Sequence, residues 1–325
     1  MATYKEIKGT GFQNFSSDPS NPVNGQVWYN TGSSVLKVAE ITTTGTWGTG
    51  GNMNTARYAA SSFGLQTAAV NAAGNGGSPP AATEEYNGSS WTNQNSVPTD
   101  RYGGAGCGTQ TAGLIFGGSA SYPNYQRELT FEYDGTNWTA GGNLGAGKYQ
   151  LGGCGTQTAG LKFGGRSPSS AASEEYNGTA WTAGGNLSSE RIGLVGAGTQ
   201  TAGLSIGGEP APNYTKTEEY DGSSWTTGGN LNQGRYNMGA AGTQTAGLGF
   251  GGYKLPSDGG GGWNATEQYD GSSWTTGGNL SLVRYMVSGA GTLAAGLAFG
   301  GVPPTTNATE EYTGPSTTIE TVTTS

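Results

Sequence analysis

The run RYNMGAAGTQTAGLGFGG at residues 235–252, followed after a loop by TEQYDGSSWTTGGNL at 266–280, is one copy of a passage that recurs six times between residues 45 and 313. Its tryptophans, Trp47, Trp91, Trp138, Trp181, Trp225 and Trp274, follow one another at 44, 47, 43, 44 and 49 residues. A period of that length signals a repeat architecture, and the grammar inside the period decides which one. Each copy holds short β-branched or aromatic segments separated by Gly pairs and by Asn-Gly or Asp-Gly, the grammar of strands and hairpins. Four short strands per copy, repeated radially, predict an all-β fold, a six-bladed β-propeller.

Composition agrees. With 63 glycines in 325 residues, 33% hydrophobic and 11% charged residues, the chain is far from a helical or α/β enzyme. Eight tryptophans, seventeen tyrosines and register-locked repeats argue for order in spite of the glycine content. A net charge of -8 argues against a nucleic-acid partner, because phosphate binding needs a basic face. No apolar run approaches the length of a membrane span and Met1 to Glu6 has no signal-peptide pattern, so no membrane insertion is expected. Asn87-Gly-Ser and Asn177-Gly-Thr match glycosylation sequons but read as turn chemistry.

In the second copy the strands are expected at 101–108, 111–118, 130–133 and 137–140, here called a to d. Asp134-Gly135, Asn87-Gly88, Asn177-Gly178, Asp221-Gly222 and Asp270-Gly271 accept the positive φ of a type I′ turn and fix the c–d hairpins. Strand a is built of Gly and Ala, poor strand formers that suit the crowded axis of a propeller. Trp on strand d and Phe116, Phe163, Phe250 and Phe299 on strand b supply bulk between blades. The last copy ends at Thr309–Tyr312 without a tryptophan, and the missing d strand stands at the other end of the chain as Gly45-Thr46-Trp47-Gly48. Pairing the two would close the ring and hide an exposed edge.

The Gly-Gly ending strand b, followed by a Tyr and then a Trp, resembles a kelch repeat, the propeller type that includes the galactose-oxidase propeller. The resemblance covers about 270 of the 325 residues and implies a fold more than a function. The first blade departs from it: Val70-Asn71-Ala72-Ala73-Gly74 replaces Leu-x-Phe-Gly-Gly, which predicts poorer packing there.

Catalysis is not expected. The chain has no histidine, which removes Ser-His and Cys-His nucleophiles, an imidazole base, and the histidine-ligated copper that a galactose oxidase requires. No metal ligand set and no cofactor site is read. Asp221-Gly222-Ser223-Ser224-Trp225 only echoes the Asp-box of sialidases and reads as a hairpin turn before a packing Trp. The carboxylate pairs Glu84-Glu85, Glu174-Glu175, Glu218-Glu219 and Glu310-Glu311 recur with the cations Arg57, Arg101, Lys148, Arg191, Arg235 and Arg284, so a structural ring of Arg–Glu contacts is expected rather than paired-carboxylate catalysis. Cys107 and Cys154 share a register on inner strands of adjacent blades and are expected to be free, buried thiols, as suits assembly in a reducing cytoplasm.

Near-copies show function in the parts that vary. The b–c loops differ from blade to blade and carry Tyr122, Tyr125, Tyr214, Tyr253 and Trp263, a ligand-binding set for a host surface glycan or protein. Residues 1–44 are a different text, expected to form a short β-hairpin segment with a turn at Thr31-Gly32. The stretch DPSNPVNGQVWYNTGSSVLK at 18–37 resembles a segment near the N-termini of tailed-bacteriophage virion proteins, especially fibre and decoration proteins. That resemblance implies attachment to other virion proteins, with Phe12, Val27, Trp28, Tyr29 and Leu36 as contact residues. The expected organisation is an attachment segment at 1–44, a propeller at 45–313 and a tail at 314–325. The expected role is a non-enzymatic virion structural protein, a head decoration, knob or tail-fibre component. A host-receptor or glycan-binding adhesin is the alternative, and a glycan-cleaving enzyme stands behind both.

Overall fold

The computed structural model describes residues 13–322 apart from Asn24, Thr43, 78–79, 121–126 and 255–258. Residues up to Gly45 and from Pro315 form one compact unit, and Thr46–Gly314 form a second.

The second unit holds six four-stranded antiparallel sheets. Blade 1 is Ser61–Leu65, Ala68–Ala72, Thr83–Tyr86 and Trp91–Gln94; blade 2 is Ala105–Thr109, Ala112–Phe116, Thr130–Tyr133 and Trp138–Ala140. Blades 3, 4 and 5 begin at Gly152, Val195 and Gly239 and repeat the pattern. Blade 6 is Ser288–Gly291, Ala295–Phe299 and Thr309–Thr313, and its fourth strand is Thr46–Thr49, with Trp47 opposite Tyr312. At the c–d turns the Asp221 carboxylate accepts the amides of Ser223 and Ser224 at 2.8 Å each, so the Asp-box echo is a turn device.

Four side-chain contacts tie blade to blade. Every strand-d Trp donates its indole N–H to a Ser or Thr hydroxyl of the preceding blade, from Trp47 on Thr266 to Trp274 on Thr217. Phe116, Phe163, Phe250 and Phe299 lie edge-on to the next blade's Trp at 4.8–5.0 Å. Gln66, Gln110, Gln157, Gln200 and Gln244 each clip two carbonyls of the preceding blade. The sixth copy has Leu293 at that position, packed against the core of the neighbouring blade. Finally, Tyr86, Tyr133, Tyr176, Tyr220 and Tyr269 donate their hydroxyls to Glu311, Glu85, Glu132, Glu175 and Glu219 at 2.5–2.9 Å.

That last set makes stability sensitive to alkali. Burial, and then the accepting carboxylate, push the hydroxyls of Tyr86, Tyr176, Tyr220 and Tyr269 up to about 12. In the unfolded chain a tyrosine titrates near ~10. The folded value is the higher one, so this contribution is complete below the unfolded pKa and is lost as pH rises toward the folded one. Denaturation midpoints should therefore fall steeply in the alkaline interval ending at about 12. Midpoints that stay flat across it would remove the role given to these bonds.

Three expectations need correction. Blade 1 is not loosely packed: Val70, Ala72 and Ala73 are fully buried, and Phe63 on strand a supplies the missing ring. Phe63 lies 6.4 Å from Trp138 and 6.5 Å from Tyr133, taking the place that a strand-b Phe holds elsewhere. The Arg–Glu ring is incomplete. Arg57–Glu84, Arg191–Glu218, Arg235–Glu267 and Arg284–Glu310 pair at 2.5–2.8 Å within their own blades. In blade 2 Phe131 stands where the others have Glu, and Arg101 stacks on it at 4.7 Å. In blade 3 Lys148 donates to the carbonyls of Ser167 and Pro168 while Lys162 takes Glu174.

The third correction is the tail. Residues 316–321 are a strand, antiparallel to Val35–Thr42 with Lys37 opposite Thr321. The first unit is thus a four-stranded sheet in the order Gln13–Phe15, Val27–Asn30, Val35–Thr42 and Ser316–Thr321, not a lone hairpin. A two-stranded hairpin is marginal in water, and the C-terminal strand supplies what it lacks. Both cysteines are free and buried. Among the described residues no helix is long and apolar enough to cross a membrane.

Candidate functional site

The face that carries the b–c loops and d–a linkers is organised by the residue pair that follows the cation of each strand a. The first members are Tyr58, Tyr102, Tyr149, Ile192, Tyr236 and Tyr285. In five blades this residue forms an antiparallel bridge to the start of its own b–c loop, as Tyr102 does with Ser119; Tyr236 pairs with Tyr253 in a short ladder. The second members are Ala59, Gly103, Gln150, Gly193, Asn237 and Met286, all at φ between 51° and 66°. The left-handed turn aims each amide at the preceding blade. Gly103 donates to Ala59, Gln150 to Gly103, Gly193 to Gln150, Asn237 to Gly193, Met286 to Asn237 and Ala59 to Met286, at 2.6–3.0 Å. Six backbone hydrogen bonds therefore close a ring around the axis. Four of its members are not glycine, and holding them at positive φ costs about 1 kcal/mol each, which the closed ring and the blades over-determine.

Around the axis the inner strands leave a cavity of about 410 Å³. Its wall is mostly Gly and Ala, and Tyr58, Tyr102, Tyr149, Asn75, Gln150 and Asn237 also line it. Tyr236 and Tyr285 do not line it. They belong instead to a series of rings that breaks the six-fold repeat: Tyr214 to Tyr236 at 5.9 Å, Tyr236 to Tyr253 at 5.4 Å and Tyr253 to Tyr285 at 4.9 Å between centroids. All four are half-buried. Burial, then Glu209 and the neighbouring tyrosines, push the Tyr236 hydroxyl up to about 12, so it is a neutral donor at ordinary pH.

Of the b–c loop residues singled out in the sequence, Tyr214 and Tyr253 are thus brought together, with Tyr236 between them. Trp263 lies nearby, with Lys254 over its ring at 5.1 Å and Arg235 at 6.0 Å. Tyr122 and Tyr125 fall outside the described residues. Tyr236 and Tyr285 were not read as site residues, although the recurrence of Tyr after Arg at the blade period was on view in the sequence. In the first unit, Phe12 falls outside the described residues, Val27 and Leu36 are half-buried, and Tyr29 is 37% exposed. Trp28 is fully buried in the chain and donates to Asp18, so it is not open to a partner in this state. Among the described residues no cluster of His, Cys, Asp or Glu could hold a metal ion.

The solved structure of YjhT matches this chain with a TM-score of 0.66 over 82% of this chain and 99% of that one, at 12% sequence identity. The likeness is one of fold. No family model matches the chain, and no curated protein matches it. The propeller is therefore established, and what it binds has to be argued from its own residues.

Proposed function

We propose that this is a non-enzymatic structural protein of a tailed-bacteriophage particle, assembled in the host cytoplasm, in which a kelch-like propeller is displayed and the smaller unit attaches it to other virion proteins. The observation that carries this reading is the smaller unit. The segment that resembles phage virion proteins is completed by a strand from the other end of the chain, giving a sheet separate from the blades. Both ends of the propeller's chain thus run into one anchor, which resists detachment better than a single tether. Imaging of intact particles should place residues 13–42 and 316–321 against neighbouring virion proteins and leave the b–c loop face in solvent. Purified particles lacking this chain, or a b–c face wholly buried in the shell with the smaller unit free, would reject the proposal.

The tyrosine series favours a second role within the first, adhesion to a host surface. Aromatic side chains offer contact area at low entropic cost, and here Tyr236 and Tyr253 face each other on a short antiparallel ladder while Tyr285 is bridged to Val302.

A further inference from the structure

The six blades are near-copies in near-identical surroundings, so each serves as a control for the others. Where one copy carries exposed apolar residues and the other five do not, the fold does not require them. The two residues before the strand-a cation are polar or small in blades 1 to 5, for example Thr55-Ala56, Ser189-Glu190 and Gln233-Gly234. In blade 6 they are Leu282 and Val283, which are 43% and 48% exposed. They immediately precede Arg284 and Tyr285, the end of the tyrosine series. These two residues and the tyrosine series fall in one sector, over blades 4 to 6, and leave it both aromatic and apolar, whereas Leu65 of blade 1, also exposed where the other copies have Thr, has no aromatic series beside it.

We infer that this sector is a binding site for an uncharged, linear oligosaccharide, whose successive sugar rings stack along Tyr214, Tyr236, Tyr253 and Tyr285 and end against Leu282 and Val283. This rests on the adhesion role above and names its ligand class. Three features select that class. The steps of 4.9–5.9 Å are on the scale of one sugar ring. The interplanar angles of 45°, 52° and 88° leave no two neighbouring rings coplanar. A chain of rigid rings joined by rotatable glycosidic bonds can meet surfaces of differing tilt, whereas a flat stacked ligand cannot. The charges beside the series are mixed, Glu209 acting on Tyr236 and Lys254 lying over Trp263, so neither an anionic nor a cationic polymer is favoured. The phenolic hydroxyls, each a donor and an acceptor, serve the equatorial hydroxyls of the sugar while the ring faces meet its C–H surface.

The test uses the full chain and a glycan array containing neutral and charged oligosaccharides, followed by fluorescence titration of the best neutral tri- or tetrasaccharide. Saturable binding to neutral oligomers is expected, stronger for the tetrasaccharide than for the disaccharide of the same sugar. Tyr253→Ala should weaken it about tenfold or more, the loss of one well-packed anchor. Leu282→Ser, at an exposed position with no core role, should weaken it without moving the melt. Tyr102→Ala, outside the series, should leave it unchanged. No saturable binding to any neutral glycan, preference for charged ones, binding only to a protein receptor, or a Tyr253→Ala and Leu282→Ser pair that both bind as the parent does would overturn the inference. Its failure would leave the particle location standing. Conversely, neutral-glycan binding by a chain absent from particles would reject the virion role alone.

Discussion

A chain trimmed to residues 51–314 is expected to lose cooperative unfolding of the propeller, while one trimmed to 46–314 is expected to keep it. The difference is five residues, four of them the strand Thr46–Thr49 that completes blade 6. Without it the Glu310–Thr313 edge is bare, and blade 5 loses the Trp47 ring from beside Phe250, 5.0 Å away, together with the indole bond to Thr266. Trp47→Ala alone should cost about 3–5 kcal/mol. Removing the whole strand adds the ladder and consumes most of the ~5–15 kcal/mol that a domain has to spare. Thermal and denaturant unfolding followed by tryptophan fluorescence and by circular dichroism would check it. Coincident, unshifted transitions in the 51–314 chain would sink the closure.

Arg235→Met should destabilise the protein far more than Arg101→Met, although the two arginines are equivalent and equally buried. Each donates to two carbonyls, Arg235 to Gly251 and Ala265, and Arg101 to Gly117 and Leu129, so that loss is common to both variants. What differs is the partner. Arg235 also donates to Glu267 at 2.5 Å, both side chains being nearly inaccessible, whereas Arg101 lies over the Phe131 ring. Burial lowers the pKa of Arg235 and Glu267 opposes that shift; at Arg101 burial acts first and Arg127 adds to it. Removing Arg235 strands a buried carboxylate and should cost about 3–5 kcal/mol. Removing Arg101 strands no acid among the described residues and should cost about 1–2 kcal/mol, the worth of the carbonyl bonds. Glu267→Gln added to Arg235→Met should recover part of the loss. Equal losses for the two single variants would show that the ion pair does not matter.

The period of the tryptophans, the Asn-Gly and Asp-Gly turns and the tryptophan-less last copy carry nearest-neighbour information, and from them the blade count, the c–d hairpins and the closing strand follow. The cations and carboxylates were legible as a recurrent set, but not which would meet. The two glutamates of each pair point to opposite faces of strand c, so one meets a cation of its own blade, Arg57 for Glu84 and Lys162 for Glu174, and the other receives a neighbouring blade's Tyr. The C-terminal strand was missed because Ser316–Thr321 acquires its ladder only from Val35–Thr42, more than 270 residues away. Blade 1 was misjudged for a similar reason. Phe63 replaces the strand-b Phe from strand a, and only the ladder that sets Phe63 opposite Val70 brings its ring to Trp138 of the next blade.

The candidate site shows the same division. Sequence marked Tyr214 and Tyr253 as variable-loop aromatics, and it displayed Tyr236 and Tyr285 as members of a repeat. That these four form one series, while Tyr58, Tyr102 and Tyr149 turn to the axial cavity, depends on ring packing between blades. The sequence by itself determined how many blades there are and where the ring is sewn shut, because local turn chemistry and a fixed period decide those. Only the tertiary structure decided which side chains meet across blades and where the six-fold repeat is broken into a site, because those contacts depend on distances that neighbouring residues do not encode.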